Sequence, residues 1–300
     1  MVAEPASLSK KPKTSAGSSD LMPRVLSALV LAPFAILVTW LPEKYPWLGV
    51  GFGLFWMMAA LSVWWEWNAL VSGPGNRLLF FLGSAALMLS TALIILVFVP
   101  DIAAARTRTP ILIILLGALA VGVFARADRR MWASGGLLYA GALLVAPIIL
   151  RRDHDLGLVA ILFLFALVWA TDIAGYFAGR AIGGPKLAPK ISPNKTWSGA
   201  IGGTIGAVIA GVLVAKFFGL NNLVAIGFVA LVLSAVAQVG DLFESAIKRR
   251  FGAKDTGSLI PGHGGVMDRL DGFIAAAVLA AAIGILRADL GSAAHGLLLW

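Results

Sequence analysis

Long apolar stretches alternate with short polar ones along this chain. A helical membrane span needs about 20 mostly apolar residues. The stretches 23–41, 46–71, 77–99, 109–125, 132–150, 156–179, 198–217, 222–247 and 272–290 meet or approach that length. The fourth is short, and the sixth and eighth carry acidic residues. The pattern predicts an all-α, polytopic transmembrane protein of about nine spans. Ahead of the first span, Met1 to Asp20 is polar and holds Lys10, Lys11 and Lys13. Residues 1–22 therefore read as a disordered cytoplasmic tail. Leu41-Pro42-Glu43-Lys44 follows the first apolar run in place of a small-residue cleavage site, so that run reads as an uncleaved span.

Composition agrees with a bilayer. Hydrophobic residues make up 59% of the 300, charged residues only 13%, and mean hydropathy is +0.90. An ordinary soluble domain is about 45–50% apolar and roughly 25% charged. A soluble enzyme, a collagen and a disordered protein are excluded. The chain has no cysteine, which excludes disulfides, thiolate metal sites and cysteine nucleophiles. His154, His263 and His295 are too few for a histidine-rich metal centre. The net charge of +9 would suggest nucleic acid in a soluble protein. Here the basic residues cluster at span ends, which points to topology signals, lipid headgroups and phosphates, with no nucleic-acid partner. With the N-terminus placed in the cytoplasm, 17 of the 24 Lys and Arg fall in cytoplasmic segments and 7 outside. Positive-inside logic thus gives N-terminus in and C-terminus out, with Arg151 and Arg152 dissenting.

The two halves differ. Residues 23–155 form N-terminal transmembrane helices with short connections. Residues 156–300 form C-terminal helices carrying two long polar loops, 180–197 and 248–271, both on the expected cytoplasmic side. The glycines of 199–212 read as tight helix packing. Four acids, Glu66, Asp172, Asp241 and Glu244, lie inside apolar runs. Each costs about 2.5–3.5 kcal/mol near a bilayer centre, so each is a functional candidate. Glu66 sits near a span end beside Trp64, Trp65 and Trp67, an expected interfacial aromatic belt, and divides evenly between structural and functional readings. Asp172 shares a helix face with Tyr176 and stands directly before the first loop. A buried pair with a basic residue is the structural alternative. Asp241, Glu244, Ser245 and Lys248 form one polar helical stripe; a Glu244–Lys248 ion pair accounts for two of them but not for Asp241.

The second loop carries the most chemistry. Pro261-Gly262-His263-Gly264-Gly265 can expose backbone N–H groups suited to phosphate oxygens. Lys248, Arg249, Lys254 and Arg269 supply cationic donors for phosphate. Asp268 and Asp271, three apart at a helix start, can join Asp241 as three hard carboxylates around Mg²⁺. Phosphates, metal and carboxylates together describe nucleotidyl or phosphoryl transfer. A positive-inside anchor would explain Lys248–Arg250 alone.

From Ser245 to Asp271 the segment resembles the signature of the phosphatidate cytidylyltransferase (CDP-diacylglycerol synthase) family: Ser-x-apolar-Lys-Arg, four residues, Lys-Asp, a small residue, then Pro-x-His-Gly-Gly-apolar-x-Asp-Arg-apolar-Asp. Asp172 to Arg180 and Ile191 to Gly199 resemble a second block of that family. Asn194, Ser198 and Gly272 stand where members often have Lys, Glu and Ser. The resemblance is sharp from about 169 to 272; the first 155 residues match in hydropathy and layout.

The resemblance implies transfer of CMP from CTP to phosphatidic acid, giving CDP-diacylglycerol and pyrophosphate, at a multi-pass inner (cytoplasmic) membrane enzyme whose site faces the cytoplasm. It implies Asp172, Lys248, Asp268 and Asp271 as catalytic residues. Asp241, Asp268 and Asp271 would hold Mg²⁺, and Asp172 would orient a basic residue or bind a second cation. Ser192, Lys195, Thr196, Arg249, Lys254, Asp255, His263, Gly264, Gly265 and Arg269 would bind substrate. It also suggests a homodimer among membrane lipids. The rivals are a CTP-dependent cytidylyltransferase for another lipid phosphate and an ion-coupled transporter. A transporter should show broken helices in two repeated halves, whereas the polar residues here keep to one half and one side. A CDP-alcohol phosphotransferase would need Asp-Gly-x-x-Ala-Arg, and Asp271-Gly272 runs on into Phe-Ile-Ala-Ala.

Overall fold

Each apolar stretch coincides with a helix in the computed structural model, which describes residues 21–44, 49–73, 76–95, 108–257 and 264–300. In chain order these are α1 (Leu21–Lys44), α2 (Gly49–Ser72), α3 (Arg77–Ile95), α4 (Arg108–Phe124), α5 (Arg130–Arg151), α6 (Gly157–Ile182), α7 (Trp197–Phe217), α8 (Leu223–Arg250) and α9 (Met267–Arg287). Six of them, α3 and α5 to α9, are long and apolar enough to cross a membrane. Large apolar side chains stand outward from these helices, among them Phe81, Phe217, Val224 and Leu286. Such a surface suits lipid and would be an aggregation hazard in water. The tail at 1–20 lies outside the described residues.

Two elements depart from the expected layout. The first polar loop contains an antiparallel hairpin, β1 (Lys186–Ala188) and β2 (Ser192–Thr196), pairing Lys186 with Thr196 and Ala188 with Ser192. Gly183 and Gly184, both with positive φ, let the chain leave α6 and turn into it. After α9 a short helix, α10 (Ala293–Leu298), folds back on the bundle. Its approach is set by glycine: a Cβ on Gly284 would stand 2.8 Å from the Ala293 carbonyl carbon.

Turns gather at two ends. At one, Arg129 donates to Val71 O at 2.6 Å, the Arg250 guanidinium lies over Trp132, and Arg249 reaches Ile191 O at 3.4 Å. The turns flanking α2, α5 and α8 therefore share that end with the hairpin. At the other end, Arg151 donates to Thr39 O at 3.0 Å and Asn222 to Trp300 O at 3.4 Å. There, too, His295 of α10 holds Asp153, its backbone N–H at 2.9 Å and Nδ1 at 2.8 Å. Burial opposes the Asp153 charge, but the His295 bonds and the Leu156 N–H hold its carboxyl below the usual carboxylate range.

The expected aromatic belt is corrected. Trp64 and Trp67 are buried, and only Trp65 is exposed. Trp64 donates its ring N–H to Phe80 O at 3.1 Å and Trp67 to Trp132 O at 2.8 Å, satisfying the indole donors inside the bundle. Trp56 of α2 stacks on Phe273 of α9 at 5.0 Å, and Phe165 of α6 joins them, so the two halves of the chain share one core.

The glycines of α7 do pack as the sequence suggests. A Cβ on Gly203 would stand 2.7 Å from Thr171 O, and one on Gly199 would stand 2.9 Å from Gly175 O. Small residues thus bring the α6 and α7 backbones together. That close crossing fixes the spacing of the polar groups at its mouth.

Candidate active site

A cleft of about 480 Å³ opens where α6, β2, α7, α8 and α9 meet. Asp172 enters it from α6, Lys195 from β2, Asp241 from α8 and Asp271 from α9. Residues far apart in sequence, from Asp172 to Asp271, are thereby brought to one place. Lys195 pairs with Asp241, joining the hairpin to α8. Asp271 accepts the Gly272 N–H at 2.7 Å. The floor is the glycine crossing, with Gly175, Gly179 and Gly199 in the wall. At the rim, Arg180 donates to the Tyr176 hydroxyl at 2.8 Å. Gln238, one turn before Asp241, also lines the cleft and is held by Ala200 O at 3.3 Å and Thr204 Oγ1 at 3.0 Å.

A second polar cluster lies beside the cleft, around the start of α9. Lys248 stands between two carboxylates, Glu244 at 2.7 Å and Asp268 at 2.8 Å. All three are largely buried; Glu244 is 1% exposed. The Glu244–Lys248 pair expected at i,i+4 is present, and Asp268 is added to it. Asp268 also accepts the N–H groups of Gly265 at 3.1 Å and Thr256 at 3.5 Å. It therefore ties the lysine to the glycine turn.

The structure divides the expected grouping of Asp241, Asp268 and Asp271 between two neighbouring clusters. Among the described residues no three His, Cys, Asp or Glu side chains are placed to hold a metal ion together. Helix α9 begins at Met267, so Asp268 and Asp271 both lie on it, rotated by about 60° at three residues' spacing. Asp271 opens to the cleft with Asp172 and Asp241, while Asp268 turns to Lys248.

The remaining candidates divide as follows. Thr196 lines the cleft, but its hydroxyl accepts the Gly199 N–H at 3.1 Å as the N-cap of α7. Ser192 opens β2 and is not part of the cleft wall, where Asn194 stands instead. Arg249 bridges the two loops through Ile191 O and Ala253 O. Lys254, Asp255 and Arg269 are exposed at the same end. Gly264 adopts positive φ at 88°, a conformation that favours glycine, and Gly265 is buried. His263 lies outside the described residues.

Sequence reasoning missed Gln238 and left Glu66 undecided. Gln238 carried a signal: with Asp241 and Ser245 it extends the polar stripe of α8 one turn deeper. Glu66 carried only its charge; its partners lie some 200 residues away.

A family model described as "Cytidylyltransferase family" matches residues 22–286. The chain belongs to the cytidylyltransferase family. That match takes in both loops and both polar clusters. Among its relatives, a phosphatidate cytidylyltransferase of Brucella suis is 44% identical over 271 residues, 90% of this chain and 96% of the relative. One from Brucella abortus is 43% identical over the same coverage. One from Staphylococcus epidermidis is 46% identical over 119 residues, 39% of this chain and 46% of the relative.

Proposed function

We propose that this cytidylyltransferase transfers CMP from CTP to phosphatidic acid, giving CDP-diacylglycerol and pyrophosphate. The observation that carries this is the cleft itself, where lysine-bearing and carboxylate-bearing elements converge beside a glycine turn at one end of an apolar bundle. The near full-length likeness to phosphatidate cytidylyltransferases supports the choice of lipid. An oxygen of the lipid phosphate forms the new bond to the α-phosphorus of CTP. The bond from that phosphorus to the β-phosphate bridging oxygen breaks, and pyrophosphate leaves with the electron pair. The nucleophile is ionised near neutral pH, so no strong general base is required. The barrier is dominated by bringing anions together, and fixed cations lower it.

Lys195 would meet one phosphate at the cleft, and Arg249 and Lys254 others at the loops. Lys248 and Asp268 hold the glycine turn so that its N–H groups can face the triphosphate. Asp172, Asp241 and Asp271 line one cleft without forming a three-acid metal site, and one or two of these hard oxygen donors would hold a divalent cation together with substrate phosphates. Mg²⁺ is commonly held by one or two carboxylates with substrate phosphates supplying the rest, so a three-acid cage is not required. When bound, such an ion would screen the triphosphate charge and aid departure of pyrophosphate. The site end faces the cytoplasm of a bacterial inner membrane in this proposal, with the N-terminus on the same side and about nine crossings. The excess of basic residues at that end supports it.

The test is an assay in detergent micelles with labelled CTP, phosphatidic acid and Mg²⁺, omitting each in turn. Label should enter lipid only when all three are present. Folded protein that leaves CTP intact with phosphatidic acid, but consumes it with another lipid phosphate, would refute the choice of substrate.

A further inference from the structure

Glu66 lies on α2, in the half of the chain that carries no recognisable motif, and is 1% exposed. Its carboxylate accepts from three donors of the second loop. Val266 N–H reaches Oε1 at 2.8 Å, Met267 N–H reaches Oε2 at 2.8 Å, and the Thr256 hydroxyl reaches Oε2 at 3.1 Å. Two of these are N–H groups at the start of α9 that have no partner within the helix. The third stands ten residues earlier, so one side chain ties Thr256 to the start of α9. Asp268 grips the same turn from the other side through Gly265 and Thr256.

The chemistry of the residue fits the task. Three donors converge on two oxygens, and a carboxylate accepts at both. A glutamine would present an NH₂ to one set of donors. The glycines are needed for the approach: a Cβ on Gly265 would stand 2.6 Å from Glu66 Oε2, and one on Gly257 would stand 3.0 Å from Oε1.

We infer that Glu66 is a positioning residue for nucleotide binding, acting across the bundle through the turn that Asp268 and Lys248 hold. The inference rests on the proposal that this loop binds CTP. It assigns α2 a part in the reaction: the N-terminal half supplies the anchor against which the catalytic loop is set.

The experiment compares Glu66→Gln, Thr256→Val and Lys254→Ala with the unaltered protein, as purified full chains in micelles. Steady-state kinetics are read for CTP and phosphatidic acid separately, and hydrogen exchange at the Val266 and Met267 amides. Displacing the loop should raise KM for CTP about tenfold or more in Glu66→Gln. Thr256→Val, which loses one of the three contacts, should raise it less, and KM for phosphatidic acid should stay within twofold in both. Exchange at Val266 and Met267 should quicken in Glu66→Gln, because that carboxylate is their acceptor. Mere destabilisation would lower the active fraction, and so apparent kcat, without moving KM for CTP. If Lys254→Ala raises KM for CTP while neither Glu66→Gln nor Thr256→Val does, the inference is overturned. If Lys254→Ala leaves it unmoved too, the nucleotide-loop reading has failed and the inference falls with it. Should Glu66→Gln not fold, Thr256→Val carries the same comparison.

Discussion

Replacing Lys248 by Met removes the cation that stands between Glu244 and Asp268, which are 1% and 10% exposed. Methionine keeps most of the side-chain volume, so the loss is chiefly electrostatic. Removing one partner from a buried pair costs about 3–5 kcal/mol, because the charge left behind has neither water nor partner. Here Asp268 retains the Gly265 and Thr256 N–H groups, whereas Lys248 is the only ion-pair partner found for Glu244 among the described residues. Most of the penalty should therefore fall on Glu244. Glu244→Gln in the Lys248→Met background replaces that stranded carboxyl by a neutral amide and should return about 2 kcal/mol of the loss. Activity should not return, since the lysine that holds Asp268 is still gone. The assay is thermal unfolding in detergent, followed by tryptophan fluorescence, alongside CMP transfer. At about 2–4 °C per kcal/mol, the single variant should melt on the order of 10 °C lower and the double variant about midway. A Lys248→Met protein within about 1 kcal/mol of the original would refute the electrostatic account. So would a double variant no more stable than the single.

Three further outcomes are expected. Gly203→Val should force α6 from α7, since its Cβ would stand 2.7 Å from Thr171 O; activity should be lost together with several degrees of thermal midpoint, while Gly135→Ala, which meets nothing within 4 Å, should serve as a silent control. Lys195→Ala breaks a pair in which both side chains are about one-third exposed, so stability should change by less than about 1 kcal/mol while turnover falls about 10²-fold; normal turnover would remove Lys195 from the phosphate site. Asp153 contributes through a carboxyl held below its usual range, so its stabilisation is present above the unfolded pKa near 3.8 and is lost as pH falls through the lower folded value. The gap in thermal midpoint between the unaltered protein and Asp153→Asn should thus close as pH falls below about 4. A gap that stays fully open in stronger acid would contradict the sign.

The sequence by itself determined what could be argued from local composition. Apolar runs of span length located each long helix, because a bilayer leaves no other way to satisfy the backbone. The signature between Ser245 and Asp271 was legible because phosphate chemistry needs particular residue types at short spacing, and the α7 glycines were legible as packing because a flexible linker would be more polar. Tertiary structure alone decided which groups meet. Asp268 and Asp271, three apart, looked like ligands of one ion, but helical rotation sends one to Lys248 and the other to the cleft. Trp64 and Trp67 looked interfacial because nothing local revealed Gly83 and Gly136 making room for their rings on other helices. Glu66 could not be assigned, since its partners among the described residues lie about 200 residues away. Spacing along a helix gives direction on that helix, but which neighbour lies in that direction is set only when the helices have packed.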